Sequence, residues 1–124
     1  MVAAQKIDAK THKAAGKCAE PCPIERGMRI LGGKWTGSIL WHLKDGPVRF
    51  NELARQLDGA SKKMVNERLK ELEQARLVRR KVLSTKPIAV TYEITELGCT
   101  ALGILKKIKE WSESEGLHVR QAAP

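Results

Sequence analysis

No stretch of this 124-residue chain approaches the ~18 consecutive apolar residues that a membrane-crossing helix needs. Its first residues, Met-Val-Ala-Ala-Gln-Lys-Ile-Asp, lack the apolar core of a secretion signal. The expected location is therefore the cytoplasm, with no membrane partner. Cysteine is scarce and odd in number: Cys18, Cys22 and Cys99 do not suit the paired framework of a small secreted domain. In a reducing compartment such thiols stay as thiols, serve redox chemistry or bind metal. Metal is disfavoured, because Cys18 and Cys22 are spaced Cys-x3-Cys with no second cysteine pair, and His12, His42 and His118 are scattered. A phosphate-cradling glycine loop, a metal-hydrolase motif and a nucleophile–base signature are all missing, so neither an enzyme nor a cofactor is expected. Aromatic residues are few, and Trp35 and Trp41 read as core positions and not as a ligand box. Positive charge is in excess. Lys and Arg number 23 against 14 Asp and Glu, and a net charge of +9 favours a polyanionic partner such as nucleic acid or an anionic surface.

The length suits one domain able to bury a core without staples. Residues 1–20 carry Lys6, Lys10, Lys13 and Lys17 among small and polar residues and read as a basic arm, either a solvated tail or a phosphate-touching one. The main domain is expected over residues 21–116, and residues 117–124 form a tail without pattern. Pro23 fits the first turn of a helix with Ile24, Met28 and Leu31 on one side, ended by Gly32-Gly33. Trp35, Ile39, Leu40 and Leu43 make a second amphipathic helix, closed by Asp45-Gly46-Pro47. Val48-Arg49-Phe50 is short enough for a minimal strand. Phe50, Leu53, Ala54 and Leu57 then give a short apolar-faced helix, and a turn leads to Ser61, a candidate N-cap.

From Ser61 to Ala75 the chain reads as one amphipathic helix, with Val65, Leu69 and Leu72 on one face and Lys63, Asn66, Glu67 and Lys70 on the other. The two helices together form a helix-turn-helix candidate whose second member would be the reader. Beyond Ala75 the period shifts to that of strands, over Leu77–Leu83 and Ile88–Ile94, with Ser84-Thr85-Lys86-Pro87 as the hairpin tip. Thr95 can cap a last helix in which Leu97, Ala101, Leu105, Ile108 and Trp111 recur at helical spacing. The expected fold is mostly α with a small antiparallel β hairpin: a winged helix-turn-helix with terminal dimerisation helices.

These elements imply a division of labour. Ser61, Lys62, Lys63 and Asn66 lie in the first half of the reader helix, where side chains would meet base edges of double-stranded operator DNA. Lys70 on the helix, with Arg79, Arg80, Lys81 and Lys86 on the hairpin, would serve phosphates or the minor groove. The stripe of the last helix, with Ile24 and Met28 of the first, is longer than one small core requires and is expected to join two subunits. The alternative is that the last helix packs only on its own domain. Two other readings stay open: a winged helix used for protein contact, or a regulator switched by a small ligand, with structural cysteines.

The run from Cys22-Pro-Ile-Glu-Arg through Gly32-Gly-Lys34-Trp35-Thr36, followed by Asp45-Gly46-Pro47-Val-Arg49-Phe50-Asn51-Glu52-Leu53, resembles the HxlR-type bacterial transcription regulators. Ser61-Lys-Lys63-Met-Val-Asn-Glu-Arg68-Leu69 and Tyr92-Glu-Ile94-Thr95-Glu-Leu97-Gly98 also match, so the resemblance covers roughly residues 22 to 112. It implies a homodimeric winged-helix protein of MarR-like architecture, acting on an inverted-repeat operator as repressor or activator. Relatives often control genes that deal with electrophiles and oxidants, and several sense through a cysteine just before the first helix. Cys22 stands at the matching Cys-Pro position. Two departures stand out: Lys62 where proline is common, and Cys99 where relatives carry a polar or charged residue. A thiol at a helix N-terminus is also favoured as thiolate by the helix dipole, which makes Cys22 the expected redox-sensing residue. Cys18 could resolve it within the chain, or a disulfide could form to Cys22 or Cys99 of a second subunit. The effector would be a small electrophile or oxidant.

Overall fold

The computed structural model describes residues 22–118, so Cys18, the basic arm over 1–20 and the end of the tail lie outside the described residues. Within them the order is α1 (Pro23–Leu31), α2 (Thr36–His42), β1 (Val48–Arg49), α3 (Phe50–Gln56), α4 (Lys62–Gln74), β2 (Val78–Thr85), β3 (Ile88–Ile94) and α5 (Glu96–Ser114). The mostly helical winged architecture expected from the sequence forms, with one addition. The minimal strand anticipated at Val48 pairs antiparallel with β3, Val48 opposite Tyr92, and turns the hairpin into a three-stranded sheet of order β1-β3-β2. Among the described residues no helix is long and apolar enough to cross a membrane.

The core sits where α2, α3 and α4 meet the base of the sheet. Ile39, Leu40, Leu43, Leu53, Val65 and Leu69 are fully buried, and Leu57, Leu72, Leu77, Val78 and Tyr92 close the cluster. Each large aliphatic side chain buried this way stabilises the fold by about 1.5–3 kcal/mol relative to exposure. The apolar face of α4, Val65, Leu69 and Leu72, is wholly inside, which fixes which face remains for a partner.

Both ends of α4 are fastened. At the start, the Ser61 hydroxyl accepts a hydrogen bond from the Met64 N–H at 3.0 Å, so the helix begins at Lys62 with a regular N-cap and without proline. At the end, Arg76 adopts a left-handed φ of 65° and the Leu77 N–H returns to the Leu72 carbonyl at 2.9 Å. This is the turn that glycine usually makes after a helix. From the side, Arg68 Nε donates to the Lys34 carbonyl at 2.9 Å, while its Nη1 reaches the Glu71 carboxylate at 3.0 Å. Arg68 thereby ties the α1–α2 link to α4.

The entry to α5 is equally crowded. Thr95 accepts from the Gly98 N–H at 3.0 Å and donates to the Arg76 carbonyl at 2.7 Å. A Cβ on Gly98 would stand 2.2 Å from the Leu77 carbonyl oxygen, so only glycine lets α5 approach the α4–β2 junction this closely.

Candidate nucleic-acid interface

The N-terminal half of α4, the outer face of α3 and one face of the wing enclose an open groove of about 750 Å³. Its charged and amide-bearing lining comprises Arg49, Asn51, Glu52, Arg55, Lys62, Lys63, Asn66 and Arg80, with Phe50, Tyr92 and the start of β3 beneath. Five cations therefore face one carboxylate. No ion pair among the described residues engages Arg49, Lys62, Lys63 or Arg80. Such a concentration of uncompensated positive charge in a concave surface attracts polyanions.

The expected contact set divides. Lys62, Lys63 and Asn66 of α4 and Arg80 of β2 come together in the groove, two elements that the fold brings to one place. Ser61 uses its hydroxyl as the cap of α4. Lys70 is exposed one turn beyond Asn66, and Lys86 is exposed at the hairpin tip, both outside the groove lining. Arg79 and Lys81 are placed differently from the expectation that treated the three hairpin cations as one group. Strand alternation points them to the sheet face opposite Arg80, where both meet Glu93, at 2.5 Å and 3.8 Å. Their charge is partly spent there.

Arg49 and Arg55 are groove residues that the sequence reading missed. Arg49 is positioned by the pairing of its strand with Thr91 of β3, a long-range contact that no local pattern announces. Arg55 could have been found: the apolar positions Leu53, Ala54 and Leu57 leave it on the outer face of α3.

A second surface is apolar. α1 buries none of its residues and leaves Ile24 75% and Met28 55% exposed. On α5 the expected stripe splits in two. Ala101 is packed inside the chain's own core and Leu105 packs against it, which removes Ala101 from any contact surface and leaves Leu105 as a mainly internal contact. The outward row is Leu97, Ile104, Ile108 and Trp111. Helical spacing alone could not separate the two rows, because neighbouring apolar stripes on one helix differ only by a modest rotation. Cys22 sits half-buried at the N-cap of α1, and Cys99 is exposed on the first turns of α5.

The family model described as HxlR-like helix-turn-helix matches residues 30–119. The HTH-type transcriptional regulator YodB of Bacillus subtilis is 40% identical over 93 residues, 74% of this chain and 83% of that protein. The reduced form of the redox regulator HypR superposes with a TM-score of 0.70 at 39% identity, covering 74% of this chain and 91% of that one. A chain assigned to the MarR family from Porphyromonas gingivalis W83 gives a TM-score of 0.73 at 34% identity, over 80% of this chain and 96% of that one. HypR is also known in an oxidized form, and YodB in diamide-treated and quinone-bound forms.

Proposed function

Since the chain belongs to the HxlR-like helix-turn-helix family of transcriptional regulators, we propose that it binds operator DNA as a homodimer and is switched at Cys22. The observation that carries DNA binding is the groove, where Lys62, Lys63 and Asn66 of the reader helix face Arg80 of the wing. Lysine donates to guanine O6 and N7, and asparagine pairs bidentately with adenine, each good bidentate contact discriminating by roughly 1–3 kcal/mol. Arg49 and Arg80, which no carboxylate among the described residues engages, hold phosphates on either side and set the register without reading sequence. Such a regulator works where the chromosome is, in the cytoplasm.

The outward rows of α1 and α5 support the dimer. Four large apolar side chains on α5 and three on α1, where Ile30 joins Ile24 and Met28, stay exposed in a single chain, and large exposed apolar surface marks an interaction site. Two-fold pairing through them presents two reader helices to inverted half-sites about one turn of DNA apart. Cys22 lies at the root of α1, so modification there would shift α1 against this seam and change the spacing of the two readers. The redox-regulated HypR and the quinone-binding YodB support an oxidant or electrophile as effector.

Selection of bound duplexes from genomic fragments tests the whole reading. The reduced chain is expected to enrich an inverted repeat and to lose it after oxidant treatment, with reductant restoring it and Cys22→Ser blind to the oxidant. Enrichment that ignores modification of Cys22 would refute the switch alone. No enrichment in either state would refute the DNA reading.

A further inference from the structure

Glu52 is the single carboxylate among the residues lining the groove. It stands in the first turn of α3, where one of its oxygens accepts from Arg55 Nη2 and the other from Gln56 Nε2 at 3.0 Å. The arrangement is placed where a helix-turn-helix protein meets the DNA backbone, since its first helix crosses the phosphates while the second enters the major groove. The Arg55 side chain is 74% exposed and that of Glu52 41%, so both face the solution that DNA would displace.

We propose that Glu52 is a tethered counter-ion of Arg55, occupying the place of a DNA phosphate and holding down the chain's affinity for duplex of any sequence. The inference rests on the groove being the DNA-binding surface. A phosphate entering beside Arg55 must share the guanidinium with a carboxylate already bound to it, and that carboxylate repels the phosphate at short range. Exposure screens both effects, which limits the expected change to a modest factor. Glu52 also suits the positive end of α3, a role that glutamine at the same position retains in part by accepting from Gln56 and from first-turn N–H groups.

The test is a set of binding isotherms on a random-sequence duplex across a salt series, using the unaltered chain, Glu52→Gln, Arg55→Gln and the double variant. Glu52→Ala runs in parallel, so that loss of fold in one variant leaves the other to decide, and helicity is checked by circular dichroism. Glu52→Gln is expected to bind roughly three- to ten-fold more tightly near 0.1 M salt, with a log–log salt slope steeper by about one. Arg55→Gln alone is expected to change affinity by less than about two-fold, yet to abolish the gain when combined with Glu52→Gln. A merely structural role for Glu52 would not produce that coupling. Unchanged or weaker binding by folded Glu52 variants overturns the proposal, as does an Arg55→Gln loss that is the same with and without Glu52. Failure of the unaltered chain to bind duplex in a salt-dependent way overturns instead the DNA reading on which the proposal rests.

Discussion

Arg79 and Arg80 are adjacent in the chain and opposed in the sheet. Arg80 lies across from Tyr92 and enters the groove, whereas Arg79 lies across from Glu93 and pairs with it. The two should therefore respond differently to truncation. Arg80→Ala is expected to weaken binding to operator and random duplex alike and to flatten the salt slope by about one, while Arg79→Ala should change either by less than about two-fold. Equal losses for the two arginines would contradict the assignment by face. Asn66→Ala is expected to change base preference at one position of the half-site, read by repeating the duplex selection, and an unchanged consensus would remove Asn66 from base reading. Arg76 tests the backbone in the same single-residue way. Its left-handed conformation costs a side-chain-bearing residue roughly 1–2 kcal/mol, so Arg76→Gly should raise the unfolding free energy by about 1 kcal/mol in a denaturant titration.

At the scale of elements, α4 owes its position to contacts at its ends as much as to its buried face. Ser61→Ala removes the cap that accepts from Met64 and is expected to cost about 1 kcal/mol of stability, measured by the shift in thermal midpoint. How much of this was legible beforehand depended on range. The cap at Ser61, the apolar row Val65, Leu69 and Leu72, the strand period around Tyr92 and the cap at Thr95 are local patterns, and each stands where the sequence placed it. What the sequence could not show depends on distant pairing. The β1–β3 pairing rests on two residues, too few for a periodic signal, and with it went the groove role of Arg49. The stripe of α5 shows the same limit. Period identifies Ala101, Leu105, Ile108 and Trp111 as apolar positions, but only the packing against α2, where Leu105 comes within 3.1 Å of a Cβ placed on Gly37, decides which of them point inward.

For the whole molecule, the two surfaces are distinct: a cationic groove on α3, α4 and the wing, and apolar rows on α1 and α5. Dimerisation and DNA contact should therefore be separable. Replacing Ile108 and Trp111 together by glutamate is expected to give a folded monomer in sedimentation, with half-site binding weakened far less than binding to the complete inverted repeat. In the proposed switch, linkage between the two surfaces would run through α1, whose root carries Cys22 and whose connection to α2 is tied to α4 by Arg68. The measurement that bears most directly on the account is the affinity of a groove variant, Lys62→Gln, Lys63→Gln and Arg80→Gln together, for a duplex selected by the unaltered chain. With fold and dimer retained, affinity is expected to fall by at least about a hundred-fold and the salt slope to flatten by two to three. An affinity and slope that match those of the unaltered chain would contradict the assignment of this groove as the surface that holds DNA.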